Sequence, residues 1–219
     1  MADNGAFPHG PDDLLGLRKA LSDERFQRYC DETGGDEAAA LHLYTWNTAV
    51  SAAFYGPIQA CEITLRNGIH DRLVAAYNPW WFRNSRLVHP PEARIIQETE
   101  DKIKNVGNTV TPGHLVAELS FGFWVRLFNK SYDELWRSHL YRLFSPKPKR
   151  ADLREQLDRI RTLRNRIAHH EPIFHRNLMD DAGRLRDVTK RLSPAVNDWV
   201  NFHSRVYDVL ADRPIATRF

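Results

Sequence analysis

Ala151–His170 reads ADLREQLDRIRTLRNRIAHH, and this stretch decides the fold class. Leu153, Leu157, Ile160, Leu163 and Ile167 fall 4, 3, 3 and 4 residues apart. That spacing draws one apolar stripe along a helix of 3.6-residue period. Glu171-Pro172 ends the helix, because the residue before a proline is pushed out of the helical region. Upstream, Ser145–Arg150 (SPKPKR) is a basic linker whose prolines keep it from regular helix. The same period recurs outward in both directions.

Towards the N-terminus, Tyr132–Phe144 and His114–Asn129 read as apolar-rich helices, the latter entered through Thr111-Pro112 after a turn at Gly107–Gly113. Glu92–Val106 reads as a polar helix, and Asn78–Pro91 as a loop with three prolines and a Trp80-Trp81 pair. Asp36–Tyr77 is a long helical stretch with an expected kink or short break at Gly56-Pro57. Pro11–Thr33 is helical and closed by Gly34-Gly35. Towards the C-terminus, Asn177–Arg191 and Pro194–Leu210 complete the set. No alternating strand pattern, fixed-period repeat or domain boundary emerges. The expectation is an all-α protein, a single helical bundle over residues 1–219 with extra helices in the middle of the chain.

Composition agrees. The 219 residues are 42% hydrophobic and 27% charged, which excludes a disordered or low-complexity chain. The 6 Trp, 7 Tyr and 11 Phe are enough to fill a sizeable core. No apolar run approaches the roughly 18–20 residues that cross a bilayer, so no membrane association is expected. Met1–Asp13 has neither a basic n-region nor an apolar h-region, so it does not read as a secretion signal. Cys30 and Cys61 are the two cysteines and lack C-x-x-C spacing, which suits a reducing cytoplasm. Charge is localised: Arg137–Arg191 holds 15 Lys/Arg against 7 Asp/Glu, a net +8 in a chain of +3. Such a segment suits a polyanion such as nucleic acid, or else a solvated surface balanced by acidic segments elsewhere.

Leu163–His170 carries the chemistry. LRNRIAHH sets Arg164, Asn165, Arg166, His169 and His170 within one and a half turns at a helix end. Asn165 and His169 share a face, as do Arg166 and His170. Arg164 lies about 140° round the helix from His169. His170 continues the apolar seam after Leu163 and Ile167, so its ring is expected to point inward. An imidazole moves protons near neutral pH. A guanidinium binds phosphoryl oxygens through a planar fork and neutralises charge that builds there. Together they suit phosphodiester cleavage, and RNA brings its own nucleophile in the 2′-hydroxyl, so no metal or other cofactor is needed. The plain alternative is a basic helix C-terminus favoured by the macrodipole.

LRNRIAHHEPIF (Leu163–Phe174) resembles the R-x4–6-H signature of the HEPN superfamily, with Arg164, Asn165 and His169 in order. The continuation into His170-Glu171-Pro172 resembles its Abi-like (AbiD/AbiF, abortive infection) branch. Leu43–Ser51 (LYTWNTAVS), Glu62–His70 (EITLRNGIH) and Gly113–Phe128 (GHLVAELSFGFWVRLF) resemble that branch in the same order. The likeness spans roughly residues 26–209. It implies an α-helical HEPN bundle that forms a homodimer, with one motif helix from each protomer meeting in a composite, metal-independent endoribonuclease site. It also implies a role in phage defence, with an antitoxin RNA or protein partner in some members. Arg164 and His169 are then the catalytic pair and Asn165 a polar helper. His170 and Glu171 belong to the branch pattern without an assigned role.

Glu62, Arg66 and His70 stand at i, i+4 and i+8, a polar stripe beside Ile58, Leu65, Ile69 and Leu73. Arg66 and His70 have three intervening residues, one short of the signature, so they do not make a second motif. As support for the site, Glu62 would orient His169 or His170, or pair with Arg164. The alternative is a surface Glu62–Arg66 pair. Lys147, Lys149, Arg150 and Arg166 are candidates to hold RNA phosphates. Trp80-Trp81 either stacks on bases or anchors its loop in the core. The remaining histidines show no metal-ligand spacing, so no metal site is expected. P-loop, dinucleotide-binding and G-x-S-x-G motifs do not occur. Two rival readings stand beside the endoribonuclease: a non-catalytic RNA-binding HEPN protein, and a protein-interaction module.

Overall fold

The computed structural model of the chain describes residues 11–214, and among these there is no strand. Eleven α-helices follow one another: α1 (Pro11–Leu21), α2 (Asp23–Glu32), α3 (Glu37–Ala76), α4 (Pro90–Asn105), α5 (Pro112–Glu118), α6 (Phe121–Arg126), α7 (Asp133–Ser138), α8 (Arg150–Ala168), α9 (Leu178–Leu192), α10 (Pro194–His203) and α11 (Val206–Ala211). The class is all-α. Short 3-10 turns at Trp81–Arg83, Lys130–Tyr132 and Leu140–Leu143 fill the connections.

Helix boundaries follow local chemistry. Pro90, Pro112 and Pro194 open α4, α5 and α10, where a missing N–H costs nothing. Thr111, Ser120, Asn177 and Ser193 cap α5, α6, α9 and α10 by accepting a hydrogen bond from a first-turn N–H.

The chain forms two compact units. One combines the described residues up to Ala52 with those from Val206 onward, and the other is Ala53–Arg205. In the first, Phe26, Tyr29 and Cys30 of α2 are buried, as are Ala40, Leu43 and Trp46 of α3. The Trp46 indole N–H donates to the Val209 carbonyl at 2.7 Å, tying α3 to α11. Arg18 bridges Asp23 and Glu37.

In the second unit, α8 packs on α6 and α9, and α9 packs on α10. The α8 stripe is the buried face: Leu153, Leu157, Ile160 and Leu163 are each at most 1% exposed. On α3, Phe54, Ile58, Cys61, Leu65, Ile69 and Leu73 are buried in the same unit. The Cys61 thiol is hydrogen-bonded to Thr189 of α9, and burial pushes its pKa up to about 12. Around them lies an aromatic layer of Trp81, Phe121, Phe123, Trp124 and Phe128, each fully buried.

Several expectations are corrected. Of the kink or short break expected at Gly56-Pro57, the break is absent: α3 runs for 40 residues with Pro57 inside it. Proline deletes one ladder bond, and the apolar stripe buried on either side of it outweighs that loss. Pro11–Thr33 is two helices, because Ser22 takes φ 68° and starts a new one. His114–Asn129 divides at Leu119-Ser120, where Ser120 caps α6. Tyr132–Phe144 is one short helix and a 3-10 turn. Pro194–Leu210 divides after His203.

Candidate functional site

The C-terminal end of α8 does not close as a simple run of helix. His169 is the C-cap, at φ −95° and ψ 10°. His170 follows at φ 55°, in the left-handed region. The Glu171 N–H donates to the Arg166 carbonyl at 2.8 Å, and the His170 N–H donates to the Ile167 carbonyl at 3.1 Å. This is a Schellman closure with histidine at the position usually held by glycine. Arg166 and Glu171, which occupy positions that commonly touch through apolar side chains in this motif, instead form an ion pair at 4.0 Å. Pro172 prevents any continuation.

The closure corrects one expectation about the site. His170 does not extend the apolar seam inward: it is exposed, because the reversal at φ 55° turns the chain off the helical path. His169 is exposed beside it, and Asn165 is half-buried one turn back on the face expected for it.

Arg164 turns towards α3. Its Nε lies 3.5 Å from Glu62 Oε2, with the carboxylate side chain 18% exposed and the guanidinium side chain 39% exposed. Of the roles open to Glu62, pairing with Arg164 is the one the geometry realises. A cavity of about 390 Å³ opens at this pair. Ile58, Glu62 and Arg66 line it from α3, and Arg164, Ile167 and Ala168 from α8. Tyr55, Gln59 and Ile63 complete its wall. The motif helix therefore presents its arginine to a recess where Glu62 faces it, and leaves both histidines exposed.

The other stripe residues divide. Arg66 lines the cavity and reaches the Ala117 carbonyl at 3.4 Å. His70 is outside the cavity lining, and its Nδ1 accepts the Trp81 indole N–H at 3.1 Å. Burial lowers its pKa against a smaller opposing effect of Asp71. Trp81 is fully buried, so that tryptophan anchors its loop.

The basic segment is largely compensated. Arg150 binds Asp133 at 3.1 Å and the Phe128 carbonyl at 2.7 Å, which makes it a tether at the start of α8. Arg166 donates to His175 Nε2 at 2.8 Å and to the Pro172 carbonyl at 3.3 Å, holding the turn after the motif. Arg137, Arg154, Arg159, Arg161, Arg176, Arg184 and Arg191 are also ion-paired. The SPKPKR linker is pinned: Ser145 N–H donates to the Arg191 carbonyl, and Arg191 donates to the Pro146 carbonyl at 2.8 Å. Lys149 is exposed at the N-cap of α8, and Lys147 lies 4.2 Å over the Tyr141 ring.

A family model described as Abi-like protein matches residues 14–175, about three quarters of the chain and inclusive of the whole Arg164–His170 helix end. The chain belongs to the Abi-like protein family. No curated protein and no solved structure matches it. The Abi-like match ends at His175, so it takes in the Schellman closure and its Arg166–His175 brace and leaves out α9, α10 and α11. Among the described residues no group of three or more His, Cys, Asp or Glu could hold a metal ion, and no helix is long and apolar enough to cross a membrane.

Tyr55 and Gln59 are cavity residues that the motif spacing does not point to. A signal for them exists in the sequence: Tyr55, Gln59, Glu62 and Arg66 fall 4, 3 and 4 apart, one face of α3.

Proposed function

We propose that this Abi-like chain is a metal-independent endoribonuclease of the HEPN type, an abortive-infection or toxin effector acting in the bacterial cytoplasm. The observation that carries the reading is the end of α8, where Arg164 enters a cavity and His169 stands exposed at the cap. Those groups supply what cleavage of an RNA phosphodiester needs. His169 takes the proton of the 2′-hydroxyl as general base, or gives a proton to the leaving 5′-oxygen as general acid. The 2′-oxygen bonds to phosphorus as the 5′-oxygen leaves, giving a 2′,3′-cyclic phosphate and a 5′-hydroxyl. Arg164 binds the phosphoryl oxygens on which charge accumulates, and its fork geometry suits two of them at once. Asn165 adds a polar group on the His169 face.

Glu62 gives this site a resting state, since the carboxylate neutralises Arg164 until a phosphate competes for it. In a homodimer, the His169 of a second protomer would take the complementary proton-transfer role. An antitoxin RNA or protein would act by covering this same helix end.

The test is incubation of the purified chain with total RNA in EDTA, followed by mapping of the ends. Cleavage should persist without divalent metal and leave cyclic phosphate and 5′-hydroxyl termini. His169→Ala should lower the rate by about 10²–10⁴-fold, the usual worth of general acid–base catalysis, while leaving RNA binding in place. Arg164→Lys should be nearly as poor, since an ammonium lacks the planar fork. A strict requirement for added Mg²⁺, or full activity in His169→Ala, refutes the assignment. RNA binding without cleavage would favour the non-catalytic alternative.

A further inference from the structure

The end of α3 distant from Glu62 gathers cations that no carboxylate answers. Arg72 and Arg142 appear in no ion pair among the described residues, nor does Lys147, whereas most of the described arginines do. Three observations bring them to one place. Arg142 Nε donates to the Tyr141 hydroxyl at 2.9 Å, and Lys147 Nζ sits 4.2 Å over the same ring. A Cβ placed on Gly68 would meet Leu143 at 3.6 Å, so α3 runs directly against the Leu140–Leu143 turn one helical turn before Arg72. Arg72 Nε is buried without a hydrogen-bond partner, the one such side-chain atom among the described residues.

The electrostatics report the same convergence. The Tyr141 hydroxyl is drawn below its usual pKa by Arg142, by Lys147 and by Arg72. His139 is lowered by burial first and then by Arg72 and Arg142, and its Nε2 lies 2.9 Å from the Tyr77 hydroxyl. An imidazole and a phenol stand among the cations, and neither is a carboxylate that would pair with them.

We propose that Arg72, Arg142 and Lys147, arranged round Tyr141, form a second phosphate-binding site that holds the RNA strand away from the scissile bond. The ligand is the phosphodiester backbone, and the proposal rests on RNA being the substrate. Arg72 stands ten residues beyond Glu62 on α3, about 15 Å along the helix at 1.5 Å per residue. A strand whose scissile phosphate meets Arg164 would reach this site a few nucleotides away. Backbone recognition of this kind positions a strand without reading its sequence.

The test measures binding of a fluorescent single-stranded RNA to the full chain carrying His169→Ala, across a salt series. Arg142→Ala with Lys147→Ala removes two side chains that make no ion pair, and circular dichroism checks that the fold is kept. The slope of log K against log salt should fall in magnitude by about 0.7 for each phosphate of a single strand that is no longer neutralised. Affinity should drop at low salt for a long RNA and change little for a dinucleotide too short to span both sites. Arg72→Gln gives a second route to the same weakening. Inorganic phosphate and a mononucleotide form the other arm, and weak competition by both is expected. Unchanged affinity and slope for the long RNA, or no RNA binding at all, overturns the proposal. So does tight binding of free phosphate with no effect on RNA. A chain that binds RNA through this site and does not cut it leaves the second site standing and refutes the endoribonuclease alone.

Discussion

Glu62 and Arg164 stand 3.5 Å apart, so a phosphate that binds Arg164 competes with a carboxylate. The pair is partly exposed, and such pairs are worth about 0.2–1 kcal/mol after screening. Glu62→Gln keeps the shape and removes the competing charge. RNA affinity in a His169→Ala background should therefore rise by up to about fivefold, read by fluorescence anisotropy. No change in affinity would show that Glu62 does not compete with substrate. His70 offers a pH test. Trp81 donates to its Nδ1, so that nitrogen must be unprotonated in the folded chain, and burial lowers the pKa. A histidine with a lowered folded pKa contributes stability that is complete above its unfolded value, near 6.5, and is lost as the pH falls towards the folded value. The thermal midpoint should decline below about pH 6.5, and His70→Gln should flatten that decline. His170 carries a third consequence. At φ 55° a non-glycine residue costs about 1–2 kcal/mol, so His170→Gly should raise the thermal midpoint by about 2–4 °C per kcal/mol recovered. If the exposed imidazole takes part in cleavage, the same variant loses rate as it gains stability.

Elements show which parts of the structure are legible in the sequence. The α8 stripe is long and regular, and four of its five apolar positions are buried. Its caps and breaks depend on single φ values, which a periodicity does not contain. Ser22 at φ 68° and His170 at φ 55° reverse the chain within runs whose hydrophobic spacing continues past them. This is why one expected helix is two near Leu21, and why the spacing places His170 inward when the structure does not. Glu62 is legible as a partner of the motif, but choosing Arg164 from among its possible partners requires the packing of α3 on α8. Lys147 is legible as a phosphate contact, but its grouping with Arg142 and Arg72 is not, since Arg72 stands 70 residues before Arg142 in the sequence. α3 departs in the other direction: Pro57 punctuates the sequence, yet burial of Phe54, Ile58 and Cys61 holds the helix through it. Pro57→Ala restores the N–H donor opposite the Ala53 carbonyl. It should stabilise the chain by about 2–3 kcal/mol, measured by urea denaturation with an unchanged slope. A loss of stability would mean that the helix is adapted to the proline.

On the proposed endoribonuclease reading the whole molecule must bring Arg164 and His169 to one phosphate, and a single α8 does this awkwardly. Arg164 faces the cavity against α3, whereas His169 is exposed at the cap, about 140° round the helix before the chain reverses. A second copy related by a two-fold axis would offer its own helix end to the first, and such an interface is self-complementary. One phosphate would then meet an arginine from one protomer and a histidine from the other. Arg164→Ala and His169→Ala chains should each be inactive alone, since every site in either homodimer lacks one group. Co-expressed with different tags and purified through both, they should form heterodimers in which one arginine and one histidine survive. If those two meet across the axis, a fraction of the wild-type rate returns. If catalysis is confined to one protomer, the heterodimer stays inactive, because neither chain holds both groups. Light scattering at the assay concentration supplies the other half of the experiment. A fully active chain that is strictly monomeric there refutes the shared site and requires Arg164 to leave Glu62 and swing towards the His169 of its own helix.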